Sequence, residues 1–153
     1  MKTCPAALAA SAVALLGAPA AAPAASVEVM VVSKEKTLSA PRAVTLEQRR
    51  APVRGRSCAV GAETPLAALL GIRLPVSVRD RGSCGRSARD AGGLVVTRVG
   101  PDRNRDGNRW VYKVGRKAGT TPAADPPGPF GTGRRLRDGQ RVLRAFPRTV
   151  AVR

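Results

Sequence analysis

The chain has 153 residues, 43% of them apolar, and a formal net charge of +17 from 27 Lys and Arg against 10 Asp and Glu. That length suits one domain with a short appendage and a single core. With no histidine at all, the commonest general base, the usual Ser and Cys triads and the zinc-protease motifs are absent.

Residues 1–26 have the pattern of a signal peptide. Lys2 gives a positive start, residues 6–16 are an apolar run of Ala, Val and Leu, and small residues follow through Ala24-Ala25-Ser26. Such a run, interrupted by prolines, is short for a membrane span, so no stable span is expected after cleavage. Cys4 precedes the apolar run and cannot be the lipid-bearing cysteine that follows one. Cleavage leaves Cys58 and Cys84 as an even pair. In a secreted or cell-envelope location these are expected to form a disulfide, closing a loop that stabilises by roughly 3 kcal/mol in the chain-entropy account. The spread of arginines over the chain fits either a polyanion partner or the codon bias of a high-GC genome.

In chain order, residues 27–32 alternate Val27, Val29 and Val31 on one face and predict a strand. Residues 33–36 form a polar turn. A weaker strand is expected at 43–48, and the basic stretch 49–56 is expected to pair with 53–60. Thr64-Pro65 followed by Leu66, Leu69 and Leu70 predicts a short helix. Thr64 caps it, Pro65 takes the first helical position, and Gly71 fits a left-handed residue after its end. Leu74, Val76 and Val78 then alternate, with Pro75 confining that strand to an edge. Residues 80–93 read as a loop and 94–99 as a strand.

Residues 102–107 read Asp-Arg-Asn-Arg-Asp-Gly. They predict a hairpin turn joining strand 94–99 to the next one, because Asp-Gly readily takes positive φ. They also match the start of a calcium loop, but the twelfth position is Lys113 where a bidentate Glu belongs. No metal site is therefore expected. Residues 109–114 follow, with Trp110, Tyr112 and Val114 on one face and Arg109, Val111 and Lys113 on the other. These are the only Trp and Tyr, and the rest of the chain is expected to pack around this strand.

Residues 115–135 lack periodicity, and loops of that length in compact domains tend to be functional or disordered. Gly131-Thr132-Gly133 suggests an anion nest backed by Arg134 and Arg135. Phe130, Arg134 and Arg135 are the candidate binding residues. Phe130 either offers an exposed ring beside two guanidinium groups or folds inward as a core anchor. A turn at 138–140, a last strand at 141–146 and a loose tail at 148–153 complete the reading.

Trp110-x-Tyr112-x-Val114-Gly115, then Leu136-x-x-Gly139-Gln140-x-Val142, is similar to a family of secreted bacterial domains of unknown function. That family is related to the small C-terminal β-domain of transcobalamin and intrinsic factor. Its pattern is W-x-Y-x-V-N-G, a variable loop, then L-x-x-G-D-x-V-x-W-x-Y. This chain departs from it at Gly115, at Gln140 and at Arg144-Ala145-Phe146, where the family has its final W-x-Y. The resemblance implies an α+β fold over residues 27–147: a β-grasp-like, mostly antiparallel sheet with one short helix. It also implies a non-catalytic binding or interaction domain without a cofactor, for a small molecule such as a corrinoid or for a cell-surface partner. The alternative is a basic secreted protein that binds nucleic acid or an anionic wall polymer. N-terminal sequencing of exported protein is expected to find a start between about residues 20 and 27; a start at Met1 refutes the leader.

Overall fold

A computed structural model describes residues 24–82, 84–105, 108–129 and 131–145. Most of the expected leader, the Asp106-Gly107 turn, Phe130, Phe146 and the tail lie outside the described residues. Among the described residues, ten strands, mostly antiparallel, and a few short helical turns make a structure dominated by sheet.

β1 (Ser26–Val32) and β2 (Thr37–Thr45) form an antiparallel hairpin closed by Ser33 N–H donating to the Lys36 carbonyl at 2.8 Å. β2 starts earlier than its sequence suggests, because residues 37–43 are mostly exposed and gain their order by pairing with β1. β3 (Arg49–Val53) and β4 (Arg56–Val60) form a second hairpin. Its turn residues Arg54 and Gly55 have φ of 43° and 77°, the left-handed pair that lets a two-residue loop follow the strands' twist.

α1 (Pro65–Leu70) follows, with the Thr64 hydroxyl accepting from Ala67 N–H at 3.2 Å. Gly71 is not left-handed as expected: its φ is −75°. A Cβ there would collide with the Val44 side chain, so close packing of the helix end against β2, rather than backbone conformation, requires glycine.

β5 (Val76–Asp80), β6 (Leu94–Val99) and β7 (Asp102–Arg103) form a separate three-stranded sheet with β5 at its edge. A 3₁₀ turn at Ala88–Gly93 lies between β5 and β6. The expected hairpin between strand 94–99 and the Trp110 strand does not form. β6 turns back at Gly100-Pro101 onto β7, and the chain then crosses to the other sheet. β8 (Val111–Val114) and β9 (Lys117–Ala118) join through a turn at Gly115, whose φ is 58°. β10 (Arg141–Ala145) closes the fold.

The main sheet runs β2-β1-β10-β8-β9. Its central pair, β1 with β10, is parallel, and its other pairs are antiparallel. The Trp110 strand is therefore not the centre; the sheet is built on its first and last strands. Val27, Val29 and Val31 turn inward with Val142, Tyr112 and Val114, and α1 lies on that face against β1 and β10. Glu28, Met30 and Val32 alternate to the other, half-exposed face. Among the described residues no helix is long and apolar enough to cross a membrane.

Cys58 on β4 is bonded to Cys84, with Cα atoms 5.5 Å apart. The loop holding Cys84 is positioned by Asp80, whose carboxylate accepts Gly82 N–H at 2.9 Å and Cys84 N–H at 3.1 Å, with Arg56 at 3.6 Å. The two backbone bonds hold the Asp80 carboxyl below its ordinary value of 3.8. A lowered carboxylate stabilises the fold above its unfolded pKa, and that contribution disappears as pH falls through the folded value. Asp80→Asn is therefore expected to lower stability near neutral pH and to flatten the acid-side fall that begins near the ordinary carboxyl value of 3.8 and continues below it. Urea unfolding across that range checks this, and an unchanged slope refutes it.

Candidate functional site

The segment between β9 and β10 is not a free loop. Leu66 N–H donates to the Ala123 carbonyl and Leu136 N–H to the Glu63 carbonyl, both at 2.8 Å, which ties the segment to the start of α1. Leu136 is 1% exposed. Gly139, with φ of 70°, turns the chain so that its N–H reaches the Ser26 carbonyl at 2.8 Å. Asp138 Oδ1 accepts Ser26 N–H at 2.7 Å. The motif residues Gly139 and Val142 thus fasten this segment and β10 to the first strand, while Leu136 ties it to the start of α1.

The suggested anion nest at Gly131-Thr132-Gly133 faces the chain's own carboxylate. Asp125 Oδ2 accepts from Thr132 N–H at 3.2 Å and from the Thr132 hydroxyl at 3.0 Å. A Cβ at Gly131 or Gly133 would overlap Asp125 or Pro126, so these glycines serve a close crossing of the loop on itself.

Arg134 and Arg135 do not converge. Arg135 Nε pairs with Glu63 Oε2 at 3.0 Å across an exposed rim, a contact of small energetic weight. It lines a cleft of about 520 Å³ with Leu46, Ala62, Thr64, Pro127 and Leu136. Arg134 lines another cleft, of about 250 Å³, with Tyr112, Thr120, Thr121 and Thr132. Phe130 lies outside the described residues.

Tyr112 stands between this second cleft and a third, of about 130 Å³, which share Tyr112, Gly119 and Thr121 as walls. The Tyr112 hydroxyl lies 3.2 Å from the Thr121 hydroxyl, and Gly119 sits so close to the ring that no Cβ fits there. The third cleft is lined also by Val96, Asn104, Trp110, Ala123 and Arg144. Trp110 is held by two hydrogen bonds, one of them to an Asn104 that is itself anchored. Its N–H donates to Asn104 Oδ1 at 3.0 Å, its Nε1 to the Asp102 carbonyl at 3.1 Å, and Asn104 Nδ2 reaches the Val96 carbonyl at 2.9 Å. The first residues of the calcium-like motif thus fix the indole. Among the described residues no three His, Cys, Asp or Glu side chains are placed to hold a metal.

Arg144 is the residue that the sequence reading passed over. It is 2% exposed on the inner face of β10, opposite Tyr112 on β8 and Val31 on β1. Its guanidinium carbon lies 5.3 Å from the centre of the Tyr112 ring. Nε and Nη2 are buried and have no hydrogen-bond partner among the described residues. Burial pushes its pKa down to about 10, with Tyr112 opposing the shift, so it is still a cation at neutral pH. The available signal was its period-two relation to Val142, which places it on the inward face.

No protein-family model, curated protein or solved structure matches the chain.

A buried cation without an anion costs stability, and apolar replacements of similar size recover it. Arg144→Met is expected to raise the unfolding free energy by about 1–4 kcal/mol in chloride buffer. Denaturant titration measures this; destabilisation by a comparable amount would mean that the guanidinium is well satisfied.

Proposed function

We propose that this chain is a non-catalytic, extracytoplasmic binding domain with a β-grasp sheet, and that its site is the 520 Å³ cleft between residues 61–64 and 135–138. The observation that carries the reading is the cleft itself. Its volume falls in the range of small-molecule sites, and its lining joins apolar Leu46, Ala62, Pro127 and Leu136 to polar Glu63, Thr64, Arg135, Arg137 and Asp138. Support for a β-grasp comes from the order β2-β1-β10-β8-β9, with parallel first and last strands at the centre and one helix on one face. An extracytoplasmic location is supported by the Cys58–Cys84 disulfide and the leader-like start. A non-catalytic role is supported by the lack of histidine. The ligand is a small, mostly apolar molecule with an acidic group facing Arg135; a corrinoid or a segment of a cell-surface protein are the occupants that the family resemblance suggests.

A thermal-shift screen of small molecules, cobalamin included, against the full chain tests this. A ligand that raises Tm is expected to lose its effect in Ala62→Trp, which fills the cleft. An acidic ligand is expected to bind roughly tenfold or more weakly to Arg135→Ala, since hydrogen bonds to charged groups contribute about 1.5–3 kcal/mol. A ligand whose shift survives Ala62→Trp unchanged binds elsewhere.

A polyanion-binding role is the second reading. Arg109, Lys113, Arg116 and Lys117 are all exposed along β8, its turn and β9. Contacts to a polyanion weaken steeply as salt rises, whereas occupancy of the cleft by a mostly apolar ligand depends on salt far less.

A further inference from the structure

We propose that the 250 Å³ cleft walled by Tyr112, Thr120, Thr121, Thr132 and Arg134 binds a small sugar acid, a hydroxylated ring that carries one carboxylate. Among the described residues Arg134 is the single charged one in the lining, and the remaining wall, Ala118 and Gly119, adds no charge. Arg134 is half-buried and makes none of the ion pairs found among the described residues. A guanidinium with no carboxylate in its own cleft takes one from solution, and its planar fork matches the two oxygens. Exposed Arg116 and Lys117 lie just before Ala118 and draw anions toward this edge.

The hydroxyls set the rest of the ligand. Each can donate once and accept twice. The Thr132 hydroxyl gives its hydrogen to Asp125 Oδ2 at 3.0 Å, so it can only accept from a ligand. Tyr112 and Thr121 share one hydrogen across 3.2 Å, which leaves the pair one more to donate. Thr120 is exposed and can do both. Neighbouring hydroxyls on a ring answer such a mixture of donors and acceptors, whereas a hydrocarbon would leave it unpaired. Asp125 stands behind Thr132, outside the lining, and disfavours a second negative charge on the ligand. Inorganic phosphate, with two charges and mostly acceptors, therefore matches this wall less well. At about 250 Å³ the cleft falls just under the ~300–1,000 Å³ of drug-sized sites and has room for one ring rather than a chain. It shares no lining residue with the 520 Å³ cleft, so either proposal can fail without the other.

Equilibrium dialysis of the full chain with radiolabelled glucuronate, at neutral pH and constant ionic strength set with sodium chloride, tests the proposal. Saturable uptake of one equivalent is expected. Glucose, which lacks the carboxylate, and acetate, which lacks the hydroxyls, are each expected to compete about tenfold or more weakly than unlabelled glucuronate, and inorganic phosphate is expected to compete less well than glucuronate. Arg134→Gln is expected to weaken uptake about tenfold or more, the ordinary effect of losing a hydrogen bond to a charged group. Thr120→Trp fills the cleft from an exposed position with Arg134 intact. It is expected to abolish uptake, and it decides the matter if Arg134→Gln fails to fold. The proposal is overturned if the wild-type chain shows no saturable uptake, if glucose, acetate or phosphate binds as tightly as glucuronate, or if folded Arg134→Gln or Thr120→Trp retains uptake within twofold.

Discussion

The parallel pairing of β1 with β10 is the constraint on which the rest of this molecule depends. Parallel neighbours cannot be joined by a tight turn, so the chain between them must leave the sheet and return. Here the excursion carries the β3–β4 hairpin, the helix, the three-stranded sheet, the disulfide and the β8–β9 hairpin. α1 covers the inner face of the pair, and the 138–140 turn is bonded to the first residues of β1. Val29 opposite Val142 and Val31 opposite Arg144 set the register. A slip of one residue would carry Arg144 out to solvent and bring half-exposed Leu143 inward.

That register places a cation where an apolar side chain would be the ordinary occupant. Tyr112 is its close neighbour, and Tyr112 in turn is seated by Gly119 and Thr121. The aromatic strand, the glycine and the buried arginine therefore act as one unit. A fold could fill this layer with aliphatic groups at lower cost. The arrangement makes physical sense if the guanidinium is retained for what it contacts rather than for what it stabilises.

Much of the local structure was legible in the sequence. Thr64, Pro65 and the spacing of Leu66, Leu69 and Leu70 specified the helix and its cap, alternation specified β1 and the inward face of β8, and the apolar β-branched run at 94–99 specified β6. What failed was long-range. The Trp110 strand looked like the hairpin partner of 94–99 because Asp-Gly lay between them, yet β6 found a closer partner in Asp102–Arg103. Gly71 was read from its place after a helix, whereas its need is a packing contact with Val44, far off in sequence. Arg134 and Arg135 looked like one basic patch, but adjacency in sequence separates side chains as often as it joins them. Arg144 was counted as a lost aromatic, and its burial depends on two neighbouring strands that no local pattern names.

The central pairing also shapes how the chain reaches its native state. Its contacts link the two ends of the folded unit, so most of the ordering entropy must be spent before they form, which places the chain among the slower topologies. Until β10 arrives, the β1–β2 hairpin has its inner valines uncovered and one full strand edge unpaired. A two-stranded ribbon is marginal in water, and an open edge invites pairing with other chains. A chain delivered from its N-terminus onward therefore passes through a vulnerable interval that ends only when its last strand is released, and the many arginines spread along it provide mutual repulsion during that interval.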